Sequence, residues 1–389
     1  MLEPLSPDLR FGPGFSLTDR LDSPFRLAVG HDRSCSSAVD LLDVNGGFVA
    51  RLLEAGTVAD CRVVCFAPDG RTLFVGTAIL TAKDLPSGEV RELWRSDTPE
   101  ARCLSLDCSP DGRTLVLMSG ENRRAGKGRI VPGPRTVSAI SADNGTVRAL
   151  YTDPQGARTV AVECDWRRHF ALGVRVSIDR DDGCHELARI DLDSGVAEVV
   201  GRSRDTIWDL ALHPAGQSAA WGGPTGRIWR QDLDAGELAE DLAAGRCPAW
   251  SPSGDSVAFM ADQDRLRLLD IASGRTTDLI WFERTAATPG RRPFSFSTTP
   301  RWSPDGRQLW FSLTQSVKMP APRSIPEAAE EAWRFVQPAL HNLNPGRTSR
   351  HAPYRRVANR PVWGVADLAA KQIALSPGCH HGVAWLPVC

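Results

Sequence analysis

The chain has 389 residues, 42% of them apolar and 24% charged, with a formal net charge of -1. These values fit a protein with a well-filled core and exclude a global charge field aimed at nucleic acid or membrane. The length exceeds one ordinary domain unless an internal repeat sets the count.

The opening stretch, "MLEPLSPDLRFGPGF", has no basic segment followed by an apolar one and reads as no secretory signal. No run approaches the roughly 18 apolar residues that mark a membrane span. The 10 cysteines contain no CxxC pair. They are expected to be reduced structural thiols in a cytoplasm, with Cys65, Cys108 and Cys164 at equivalent repeat positions. Residues 1–19 read as an N-terminal extension, and 20–389 as a single domain.

That domain is written in copies. "CFAPDGRTLFVGT" starts at Cys65, "CSPDGRTLVLMSG" at Cys108, "WSPSGDSVAFM" at Trp250 and "WSPDGRQLWFS" at Trp302. The turn prolines Pro68, Pro110, Pro214, Pro252 and Pro304 mark five copies. A degenerate third copy has Trp166 at the proline position, and "VAWLPVC" at the end puts Pro387 in register. Each copy reads as four short strands. A first strand enters the "PDG" turn, where Pro presets φ and Gly accepts the left-handed corner. The second strand, as in "TLVLMSG", is too apolar for a surface strand and is expected to be buried on both faces. A variable loop leads to a third strand ending in Asp or a similar residue, a Gly-bearing turn and a fourth strand. "LRLLDIASGRTTDL" and "ARIDLDSGVAEVV" show that hairpin most clearly.

Four antiparallel strands in each of seven copies predict an all-β fold, a seven-bladed β-propeller. The last copy supplies only a first strand. The segment "FRLAVGHDRSCSSAVDLLDVNGGFVARLLEAG" supplies a second, third and fourth strand and no first. The N- and C-terminal strands are therefore expected to share one blade and latch the ring. "SPDGRTLVL", "WSPSGDSVAFM" and "WSPDGRQLWFS" resemble the blade motif of WD40-like, TolB-type (PD40) propeller repeats. No Trp-Asp pair closes the third strands, as it does in true WD40 repeats. The resemblance covers residues 20–389 and implies a fold more than an activity.

Loops from strand 2 to 3, and from strand 4 to the next strand 1, share the top face of such a ring. The long segments fall there: 120–135, 283–299 and 318–360, with net charges of +4, +2 and +5. The remainder is correspondingly acidic, so the molecule is expected to be strongly dipolar. The largest segment interrupts the sixth blade. Within it "SIPEAAEEAWRFVQPAL" predicts a helical insertion, with Ser324 and Glu327 at capping-box spacing and Pro326 in the first turn. Topology also puts His31, His341, His351, His380 and His381 on the top, whereas His213 sits in the bottom turn "LHPAG" and reads as structural. "DRDDG" (179–183) reads as the loop between strands 2 and 3 of the third blade and not as a calcium loop.

Arg binds carboxylate and phosphate through a planar fork. The candidate ligand-binding set is therefore Arg123, Arg124, Arg129, Arg291, Arg292, His341, Arg347, Arg350, His351, Tyr354, Arg355, Arg356, His31, His380 and His381. No GxSxG, Walker loop or Ser–His–Asp set can be assigned, and no catalytic residue is named. The expected role is a cytoplasmic scaffold that binds a protein or peptide of acidic character, without a cofactor and away from membranes. Aromatic residues do not interleave with the basic loops as nucleic-acid binding asks. The alternative is a metal-assisted, lyase-type enzyme acting on a small anion over the channel. Some propellers of this repeat class resemble oligogalacturonate lyase, which implies a metal held by histidines, but no ligand pattern carries over here residue by residue.

Overall fold

The computed structural model describes residues 9–33, 36–55, 63–98, 101–124, 130–153, 162–176, 185–235, 239–262, 264–282, 294–296, 299–318, 357–377 and 382–387. Its strands form seven sheets, one for each repeat copy. Blade 2 shows the pattern: Ala101–Cys108, Thr114–Arg124, Ile130–Ser141 and Val147–Asp153 pair in chain order, each antiparallel to the next. Among the described residues there is no helix. The expected helix in the sixth-blade insertion and the loop 179–183 lie outside the described residues.

Closure follows from the two half-blades at the termini. Gly382–Pro387 pairs antiparallel with Phe25–Arg33, in register from Phe25 opposite Pro387 to Gly30 opposite Gly382. Ser36–Asp43 and Phe48–Ala55 complete that seventh blade. Packing repeats the closure. Seven apolar clusters lie at the seven seams between neighbouring blades. The seam between blades 7 and 1 joins Ala28, Val39 and Leu41 to Leu73 and Val75, so no blade face is left bare.

The second strands are the most deeply buried, as their composition predicts. All five residues of Ser218–Gly222 are buried, and so are four of the five in Thr72–Gly76. Turn chemistry fixes the register at both ends of each hairpin. In the bottom turns Gly70, Gly112, Gly216, Gly254 and Gly306 adopt φ of 67° to 79°, where a β-carbon would be strained. The Asp closing a third strand accepts backbone N–H groups of the following turn: Asp191 from Asp193 and Ser194, Asp232 from Asp234 and Ala235. This local bonding explains why Asp recurs at that position.

Two features were not evident in the sequence. Residues set apart as an extension add strands to the ring: Leu9–Phe11 pairs with the outer strand of blade 5, and Ser16–Leu17 runs parallel to the outer strand of blade 6. The strap continues to blade 7, where Leu21 N donates to Asn45 Oδ1 at 2.6 Å and Asn45 Nδ2 donates to Leu21 O at 3.1 Å. Second, the basic segment 120–135 is largely a β-ribbon extending blade 2, with Arg123 opposite Val131 and Arg124 opposite Ile130.

Candidate functional site

Each blade contributes its first strand to the wall of the central channel. That strand is a sheet edge, so half of its backbone N–H groups have no ladder partner. One position of this strand, three residues before the turn proline, changes in chemistry from blade to blade. It is Cys65, Asp107, Glu163, Ala211, Ala249, Arg301 and Ala384 in blades 1 to 7. Cys65 is therefore equivalent to Asp107, not to Cys108 and Cys164. Pairing confirms the one-residue offset, with Cys65 opposite Phe74 and Asp107 opposite Val116.

Where this position is acidic it satisfies the neighbouring edge. Asp107 Oδ2 accepts Cys164 N at 3.1 Å, and its Oδ1 accepts Cys108 N at 2.8 Å. Glu163 Oε2 accepts Leu212 N at 2.6 Å. Burial raises the Asp107 carboxyl above its ordinary value. It raises Glu163 to about 7, against the lowering effects of the Leu212 N–H and the Arg301 charge. By area Glu163 is part-buried. Burial also holds the thiols in the protonated form: Cys108 is pushed up to about 12, and Cys65, Cys164 and Cys247 are raised too.

Arg301 breaks the pattern. A guanidinium cannot accept an edge N–H, and the side chain is exposed in the channel instead. There it closes a cavity of about 390 Å³ whose other walls come from blades 2 to 4, including Asp107, Glu163, Asp165 and Arg167. The bottom turns bearing Pro110 and Pro214 rim this cavity. His213 stands beside it in a structural role. Its Nδ1 accepts Ala215 N at 3.1 Å, and its ring meets Trp250 edge-on with centroids 4.8 Å apart.

The opposite mouth is marked by strand length. The second and third strands of blades 2 and 6 are 11 or 12 residues long, against 5 and 6 in blades 1 and 4. Five or six extra residues at about 3.4 Å each raise a ribbon roughly 20 Å. The two ribbons therefore stand on opposite sides of the top mouth. Phe294–Phe296 adds a third strand to the ribbon of blade 6. On the described backbone, Arg123 and Arg124 lie near the end of the blade 2 ribbon, and His31 lies opposite Ala38 near the top of blade 7. Arg129, Arg291, Arg292, His341, Arg347, Arg350, His351, Tyr354, Arg355, Arg356, His380 and His381 lie outside the described residues. Among the described residues no cluster of three His, Cys, Asp or Glu side chains has the arrangement of a metal site, and no helix is long and apolar enough to cross a membrane.

No protein family matches the chain, and no curated protein matches it in sequence. Solved structures do match in shape. An oligogalacturonate lyase in complex with manganese aligns over 79% of this chain and 87% of its own, with 14% identity and a TM-score of 0.52. An oligogalacturonate lyase from Vibrio parahaemolyticus aligns over 92% and 85%, with 12% identity and a TM-score of 0.52. A chain of the mitotic checkpoint complex aligns over 67% and 78%, with 16% identity and a TM-score of 0.45. What the two lyase structures share with this chain is the propeller fold. At these identities it carries neither activity nor partner across.

The channel cavity is not legible from loop length and Arg content, which point to the top face. Its signal was present at one repeat position, where Asp107, Glu163 and Arg301 replace the small or apolar residues of the other copies.

Proposed function

We propose that this chain is a cytoplasmic binding scaffold that recognises an acidic protein or peptide across its top face, without a cofactor. The observation that carries the reading is the pair of tall β-ribbons on blades 2 and 6, which stand on the face where the basic segments attach. Lys318 and Arg360 lie on the blade 6 ribbon, and the sequence that joins its two strands carries six more basic residues. Clustered Arg on a fixed frame favours carboxylate-rich partners and fast, salt-sensitive association.

Poly-L-glutamate is a direct probe. Immobilised protein should bind it at low ionic strength, and binding should fall at least tenfold in about 0.5 M salt, where the Debye length is only a few ångström. Replacing Arg347, Arg350, Arg355 and Arg356 by Ala should weaken binding by a similar factor, whereas Arg167→Ala on the opposite face should not. Equal binding by the wild type and the quadruple variant contradicts the reading. The competing lyase-type reading predicts stoichiometric Mn, Zn or Ni in the purified protein, measured by elemental analysis.

A further inference from the structure

The channel cavity lies at the mouth opposite the proposed binding face, and its charges are arranged in a particular way. Arg301 belongs to blade 6, yet it lines the same cavity as residues of blades 2, 3 and 4, so its side chain reaches across the channel. No described residue gives its guanidinium a hydrogen bond or ion pair. On the far wall, both Asp107 oxygens are engaged by backbone N–H groups, whereas Glu163 uses only Oε2 and, among the described residues, nothing bonds Oε1. Asp165 adds a third carboxylate to that wall.

A simple anion at Arg301 would face these carboxylates. A simple cation at Glu163 would face the guanidinium. A molecule carrying both charges meets an opposite charge at each end and adds no net charge to the channel. Ala211, Ala249 and Ala384, at the equivalent position in blades 4, 5 and 7, bring no further charge to the channel.

We propose that the bottom mouth of the channel is a binding site for a small zwitterion of amino-acid or short-peptide type, its carboxylate on Arg301 and its ammonium on Glu163 Oε1. The planar guanidinium can take both carboxylate oxygens. The three donors of an ammonium suit the open Glu163 oxygen. This site is independent of the top face, and its failure would leave the scaffold reading untouched.

The test is isothermal titration of the full chain with L-alanyl-L-alanine at about pH 8, where Glu163 is ionised, using its N-acetylated and C-amidated forms as controls. The free dipeptide should bind, and each blocked form should bind at least tenfold more weakly. Arg301→Ala should abolish binding. Glu163→Gln keeps an acceptor for Leu212 N and should fold normally, yet weaken binding about tenfold. Absence of binding by the free dipeptide overturns the proposal. So does equal binding of either blocked form, which would make the site one for a simple anion or a simple cation.

Discussion

Glu163 Oε2 accepts the backbone N–H of Leu212 across the seam between blades 3 and 4, at 2.6 Å. An edge donor of one blade is thereby paired by a side chain of the preceding one, and the carboxylate is drawn into the channel wall. Burial there raises Glu163 from its ordinary 4.5 to about 7. Between these values the folded chain holds a proton that the unfolded chain has lost. Stability therefore falls as pH rises from about 4.5 to about 7, and the penalty is fully present above that range. Its size is of order 1–3 kcal/mol. Glu163→Gln should be more stable than wild type by about that amount at alkaline pH and nearly equal to it at acidic pH. Denaturant melts across this range give the difference, and a pH-independent difference contradicts the assignment.

Two turn glycines separate strain from packing. Gly254 has φ of +79°, and a β-carbon there would run into the His213 ring of the adjacent blade. Gly274 has φ of +65° and open space around it. Gly274→Ala should cost about 1 kcal/mol, from backbone strain alone. Gly254→Ala should cost about 2–4 kcal/mol, because the wedge between His213 and Trp250 must also move. Equal costs would show that the His213 seam yields freely.

The strap should act as a second clasp. Leu9 is buried against Leu279 and Phe282, and Phe11 and Phe15 pack beside it. Deleting residues 1–19 removes these side chains and the outer pairing of blades 5 and 6. The loss should be about 2–4 kcal/mol, while the far-ultraviolet signal of the seven-bladed ring persists. An unchanged melting temperature would reduce the strap to a surface decoration.

Why the ring was legible and the strap was not has a physical answer. Blade strands repeat, so the Pro-Asp-Gly turn and the apolar second strand reinforce one another over many copies. The half-blades at the termini then leave one way to close. "LRF" and "SL", by contrast, are too short to show alternation, and their pairing partners lie more than 250 residues away. The blade 2 ribbon was hidden by its composition. Pro132 and Pro134 argue against a strand, yet Pro132 stands opposite Asn122 in the ladder with the second strand. The candidate set on the top face was drawn from topology and charge, and only the backbone of Arg123, Arg124 and His31 falls within the described residues. The channel cavity needed the seam register, which a one-residue offset at Cys65 obscured.

Ring closure has its own test. Removing residues 380–389 deletes Gly382–Pro387, which holds the inner edge of blade 7 through six register pairs. Trp385 and Val383 also leave the cluster between blades 6 and 7. The truncated chain should lose at least about 4 kcal/mol, a large part of the stability of a typical domain. Retention of the wild-type melting temperature would contradict closure by the shared blade.

The central claim is that the basic top face is where this protein meets its partner. Its most direct measurement is a capture from lysate of the native host on wild-type protein and on the Arg347, Arg350, Arg355 and Arg356 to Ala variant, with bound proteins identified by mass spectrometry. The predicted result is an acidic protein retained by the wild type and lost from the variant. Identical retention on both, or no retained protein together with stoichiometric metal in the wild type, would contradict the account.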